Sequence, residues 1–132
     1  MSDKTILVVD DEPFILRALT YVLNREGFHT MSATNGEEAL AAIRAIKPLL
    51  VFLDVMMPSR NGFEVCQEVK ADPATAGVHI ILLTAKGQEA DRARGLAAGA
   101  DEYMTKPFSP AEVVARAREV VGWPEAGMTQ GS

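Results

Sequence analysis

Cysteine is almost missing from this sequence: Cys66 is the only one among 132 residues. An intrachain disulfide and a cysteine zinc cluster are therefore excluded, and a reducing compartment is the simple expectation. Long apolar runs are missing too. The stretch Leu49–Leu53 falls far short of the roughly 20 residues that cross a membrane. The start, MSDKTILVVDDEP, holds a single basic residue and then acids, which is unlike a signal peptide. Basic side chains are in deficit, 13 against 18 acids, for a net charge of −5. That balance argues against a nucleic-acid-binding surface. Neither G-x-x-x-x-G-K-[ST] nor G-x-G-x-x-G occurs, so the glycine-rich phosphate loop of a nucleotide or flavin binder is absent. No internal repeat or low-complexity tract stands out. These absences together predict a soluble, cytoplasmic protein with neither membrane nor nucleic acid as partner.

What is present is a hydrophobic fraction of 48%, ample for a core in one domain. Short apolar runs alternate with helical patterns. Thr5–Asp10 (TILVVD) is β-branched and nearly continuous, as in a strand covered on both faces. Pro13 then opens a helix, with Ile15, Leu16, Leu19, Val22 and Leu23 at helical spacing and Gly27 as the stop. Phe28–Ala33 is a weaker strand. Asn35 can cap a helix whose stripe is Ala39, Leu40, Ile43 and Ile46, ended by Pro48. Leu50–Asp54 is a buried strand, 62–70 a helix, and Val78–Thr84 another buried strand. Gln88–Ala98 is an Ala-rich helix with a poor apolar stripe, predicted to be the most loosely held. A short strand, Glu102–Thr105, follows. Ser109, Pro110 and Glu112 form a capping box before a helix reaching about Val121. Strict β–α alternation predicts an open parallel α/β sheet with helices on both faces. Residues 1–122 read as the domain and 123–132 (WPEAGMTQGS) as a flexible tail or the start of a linker.

Ligands of such sheets bind at the carboxyl ends of the strands. Strand one ends in Asp10–Asp11, strand three in Asp54, strand four in Thr84, and Lys106 follows strand five. Adjacent acids at the end of a buried strand are costly unless something offsets their charge. A hard divalent cation with oxygen ligands does so, and Mg²⁺ typically takes one or two carboxylates plus phosphate oxygen. Lys106 can pair with a carboxylate or a phosphoryl group, Thr84 can donate to a phosphoryl oxygen, and Asp54 is placed to act as a nucleophile.

In order and spacing, ILVVDDEP, VFLDVMMPSRNGFEV, IILLTA and AGADEYMTKPF resemble the receiver domain of two-component response regulators, over Lys4 to about Gly122. The resemblance implies a flavodoxin-like (βα)5 fold with strand order 2-1-3-4-5. It implies Asp54 as the phosphoacceptor and Asp10 and Asp11 as the acidic pair. Asp11 is then the direct Mg²⁺ ligand, and Asp10 acts through water or orients the shell. Asp54 and the Met56 carbonyl are further ligands, with Mn²⁺ able to substitute. It implies that Thr84 and Lys106 contact the phosphoryl group, that Tyr103 turns when Thr84 moves, and that the Lys106–Pro107 bond is cis. The implied partners are a histidine kinase or phosphotransfer protein and a downstream protein target; receivers can also pair through the fourth helix to fifth helix face, which leaves a homodimer open. The chain would be a phosphoacceptor switch and not an enzyme, apart from its own phosphoryl transfer and slow self-dephosphorylation. Met56 and Lys86 occupy positions the family uses to tune phosphate lifetime. Leu49 stands where the family often has Asp.

Each residue also has a plainer reading. Asp10–Asp11 could cap a helix, Asp54 could be a turn acid, Lys106 a solvated lysine, Thr84 a strand residue and Tyr103 a sheet aromatic. Cys66 reads as a small core residue, and His29 and His79 are assigned no role. The convergence of four strand ends favours a site. A haloacid-dehalogenase-type aspartyl-phosphate hydrolase would need a second Asp at position 56, where Met stands. A receiver fragment of a longer regulator remains open as an alternative to a stand-alone protein.

Overall fold

In the computed structural model, residues 4–85, 89–106 and 108–122 are described, those at 89–91 by their backbone alone. The expectations for Lys86, for the Lys106–Pro107 bond and for the tail 123–132 lie outside the described residues. Five strands and five helices alternate: β1 Thr5–Val9, α1 Pro13–Arg25, β2 His29–Ala33, α2 Gly36–Ile46, β3 Leu50–Asp54, α3 Gly62–Ala71, β4 His79–Ala85, α4 Glu89–Ala98, β5 Glu102–Lys106 and α5 Pro110–Val121. The strands form one sheet in the order β2-β1-β3-β4-β5, parallel at every pairing.

Side chains of a strand alternate between faces, and that period divides the core in two. Leu7, Val9, Val51, Leu53, Ile80 and Leu82 meet Leu40 and Ile43 of α2 and Val65, Cys66 and Val69 of α3. Ile6, Val8, Leu50, Phe52, Ile81 and Leu83 meet Leu19 and Leu23 of α1 and Val113 and Ala117 of α5. Each large aliphatic or aromatic side chain so buried stabilises the fold by about 1.5–3 kcal/mol. All five residues of β3 are buried. In β2, an edge strand, only Ala33 is, which is why its sequence pattern is weak.

Local chemistry fixes the helix ends. Asn61 and Ser109 each form a reciprocal capping box, with Glu64 and Glu112; the sequence had signalled the second. Gly27, at φ 96°, follows α1 in the left-handed region that favours glycine. Lys47 ends α2 at φ 50° just before Pro48. As the sequence suggests, the described side chains of α4, residues 92–98, give little aliphatic anchorage, and Leu96 is 59% exposed. Arg94 stacks 4.2 Å from the Phe63 ring centre on α3, and Arg92 5.1 Å from that of Tyr103 on β5. Cation–π contacts here supplement aliphatic burial. Gly95 lies so close to β4 that a Cβ there would sit 2.8 Å from Leu82 Cδ1.

Candidate functional site

Strand register assembles the site. Val9 pairs with Leu53, Asp54 with Leu83, Thr84 with Thr105 and Ala85 with Lys106. The polar residues that end separate strands therefore share one edge of the sheet. Asp10 follows β1, its N–H bonding Ala33 O at 3.2 Å, and its residue is fully buried. Both of its carboxylate oxygens are engaged: Oδ1 accepts from the Glu12 N–H at 3.0 Å and Oδ2 from Lys106 Nζ at 3.1 Å. Lys106 also donates to Asp54 Oδ1 at 3.2 Å. One ammonium thus bridges the ends of β1 and β3. Asp11 is exposed.

Asp10, Asp11 and Asp54 each present a carboxylate oxygen within 4.8 Å of the others. Crowding of like charge in a poorly solvated place disfavours ionisation. Burial first, and the Asp10 carboxylate second, push Asp54 up to about 6 against the opposing pull of Lys106. Burial alone would lower Lys106, but the Asp54 and Asp10 carboxylates outweigh it and raise the ammonium above its ordinary value. The donor set is all oxygen and carries excess negative charge. Such a set fits a hard divalent cation of the Mg²⁺ class, and softer metals would prefer nitrogen or sulfur ligands.

A cleft of about 560 Å³ opens over these groups, lined by Asp11, Glu12, Asp54, Met56, Thr84 and Lys106 among others. Thr84 is almost fully buried at its floor, and Met56 stands 73% exposed at its rim. The loop between β3 and α3 is tied at its base by the Val55 N–H to Leu83 O at 3.1 Å and the Gly62 N–H to Val55 O at 2.9 Å. A Cβ at Gly62 would lie 2.5 Å from the Asp54 carbonyl oxygen, so glycine is required for so close a return.

The chain matches the family model described as the response regulator receiver domain over residues 6–118. The chain belongs to the response regulator receiver domain family. The DNA-binding response regulator MtrA of Mycolicibacterium smegmatis is 50% identical over 115 residues, covering 87% of this chain and 49% of that protein. The phosphate regulon transcriptional regulatory protein PhoB of Pseudomonas aeruginosa is 45% identical over 121 residues, covering 92% and 53%. The receiver therefore spans about half the length of these curated relatives. Among solved structures, a CheY-like receiver domain protein from Methanospirillum hungatei aligns with TM-score 0.82 at 30% identity, covering 89% of this chain and 93% of the other. The chemotaxis response regulator CheY4 of Vibrio cholerae aligns with TM-score 0.82 at 28% identity, covering 89% and 98%. Receiver domains act as signalling switches in two-component pathways with a histidine kinase, and bind Mg²⁺ at an acidic pocket. No helix among the described residues is long and apolar enough to cross a membrane.

Of the residues singled out in the receiver's sequence, Asp10, Asp11, Asp54, Met56, Thr84 and Lys106 come together at this edge. Tyr103 does not line the cleft; it is half-buried beneath Arg92. The helix-cap reading of the first acids is met in a different form. Glu12 is the N-cap residue of α1 and makes no side-chain cap bond, while Asp10 holds the Glu12 N–H. Sequence reasoning missed Glu12 as a wall of the cleft and Gly62 as its steric keystone. The Asn61–Gly62 pair after a proline was the available signal for the latter.

Proposed function

We propose that the receiver accepts a phosphoryl group on Asp54 from the phosphohistidine of a histidine kinase or phosphotransfer protein. The observation that carries this reading is the Lys106 ammonium shared by Asp10 and Asp54 at the strand edge where Asp11 completes an acidic group. An Asp54 carboxylate oxygen attacks phosphorus, the new O–P bond forms, the N–P bond of the donor breaks, and the departing imidazole nitrogen keeps the electron pair and takes a proton. Asp11, Asp54 and the Met56 carbonyl are the groups to hold Mg²⁺, or Mn²⁺ in its place. Asp10, with both oxygens engaged, orients the others or acts through water. When bound, the ion supplies neutralisation of negative charge on the incoming group.

The phosphoryl group carries about −1.5 to −2 of charge and replaces the single negative charge of the Asp54 carboxylate beside Lys106. Lys106 then pairs with the phosphoryl oxygens, and the Thr84 hydroxyl moves to donate to one of them. Tyr103 turns into the space that Thr84 leaves. This shifts a two-state equilibrium and reshapes the α4–β5–α5 face, which binds a downstream protein target or a second copy. DNA binding, part of the name of the MtrA relative, is not assigned to these residues. The thioether at position 56 offers no acid or base, which weighs against a hydrolase that turns over phosphate esters. Incubation with acetyl phosphate and Mg²⁺ followed by intact-mass measurement tests the proposal. A single phosphoryl adduct is expected; it should not form when EDTA is present from the start, and it should be absent in Asp54→Asn. No adduct on the wild type, or an unchanged adduct in the variant, overturns it.

A further inference from the structure

The loop between β3 and α3 carries Met56 on its near limb and Arg60 on its far limb. The far limb is clamped on two sides. Its backbone rests on the first residue of α2, where a Cβ at Gly36 would lie 2.4 Å from the Arg60 carbonyl oxygen. Its side chain is 31% exposed, and its guanidinium pairs with Glu68 of α3 and lies 3.9 Å from Glu37 of α2. Glu68 is held in turn by Arg44 of α2 at 3.2 Å. Between the clamps the chain has little slack. Ser59 is left-handed at φ 67°, the Arg60 N–H turns back to Pro58 O at 2.9 Å, and Gly62 closes the loop on Val55 at 2.9 Å. Only three residues, Met57, Pro58 and Ser59, separate Arg60 from Met56.

We propose that Arg60 is a positioning residue for divalent-cation binding: its ion pairs across α2 and α3 hold the loop so that the Met56 backbone faces the acidic cleft. This rests on the phosphoacceptor reading and extends it to a residue outside the cleft. Arg60 touches neither Asp54 nor Asp11 in this scheme, and its effect travels through the backbone of 56–61. Partly exposed ion pairs are individually modest, so the expected effect is graded.

The test is divalent-cation affinity of the unphosphorylated protein, read by Mn²⁺ electron paramagnetic resonance and by Mg²⁺ calorimetry. Arg60→Met is expected to weaken binding by roughly three- to ten-fold, an amount consistent with losing such pairs. Its urea midpoint should stay near that of the wild type. Arg60→Lys should restore most of the affinity, and Glu68→Gln should mimic the loss. The double variant Arg60→Met/Glu68→Gln should add little beyond either, as coupled neighbours do. At saturating Mg²⁺ the phosphorylation rate with acetyl phosphate should return towards the wild-type value. Unchanged affinity in Arg60→Met with a wild type that binds normally overturns the positioning role and leaves the phosphoacceptor reading standing. Loss of affinity that tracks a fall in urea midpoint, and that lysine does not restore, also overturns it. A wild type that binds no divalent cation overturns both.

Discussion

Asp54 shows what the site costs the fold. Its carboxylate sits in a buried setting beside Asp10, and the Lys106 ammonium does not fully offset either effect, so the group is held up near 6. A neutral isostere of similar volume escapes that penalty. In EDTA at pH 7.5, Asp54→Asn should unfold at higher urea than the wild type, by about 1–2 kcal/mol, the range expected when a crowded, desolvated charge is removed. Added Mg²⁺ should raise the melting temperature of the wild type by mass action and that of Asp54→Asn much less. Equal urea midpoints in EDTA would mean that the cleft bears no excess charge. The question raised by two adjacent acids thereby gets a divided answer. Lys106 serves Asp10 and Asp54, while Asp11 stays exposed and available to a cation.

At the scale of elements, two devices hold parts of the fold that aliphatic packing leaves weak. The first is the stacking of α4. Arg94→Ala should speed amide hydrogen exchange across α4, with α1 and α5 unchanged, because their anchorage is aliphatic. Uniform exchange across all three helices would contradict that assignment. The second is Lys70 of α3, whose three ammonium donors are used by Ala76 O at 3.1 Å, Val78 O at 2.6 Å and Asp101 Oδ2 at 2.8 Å. Asp101 also accepts from the Ile80 N–H at 2.8 Å. Burial alone would raise Asp101, but the bonds from Lys70 and Ile80 win and hold it below its ordinary 3.8. The sign follows directly. A depressed acid stabilises the fold above its unfolded-state value, and that contribution is lost as pH falls through the lower folded-state value. At pH 7, Asp101→Asn should be less stable than the wild type by about 1 kcal/mol or less, given partial exposure. The difference should close as pH drops below 3.8. Urea unfolding at pH 7 and in that acid range measures both.

For the whole molecule, the five-fold alternation follows from patterns visible in the residues, whereas the strand order was implied by the family resemblance and is the one observed. Continuous apolar runs such as TILVV and LVFLD belong to strands covered on both faces, and the period of two then sorts each run into the two cores. The acids and the lysine at strand ends were legible because topology, not sequence proximity, gathers them. What stayed illegible depends on three-dimensional approach. Nothing in the sequence marks Gly36 as the seat of the Arg60 carbonyl or Arg94 as the partner of Phe63, and the Asn61–Gly62 pair signals a turn without saying that the Asp54 carbonyl fills it. Those contacts depend on how loops and helices meet in three dimensions. The proposed switch turns on one atom, a carboxylate oxygen of Asp54. Borohydride reduces an aspartyl phosphate to homoserine, which peptide mapping locates. After treatment with acetyl phosphate and Mg²⁺, homoserine is expected at position 54 and nowhere else; homoserine at another acid, or at none, would contradict the account.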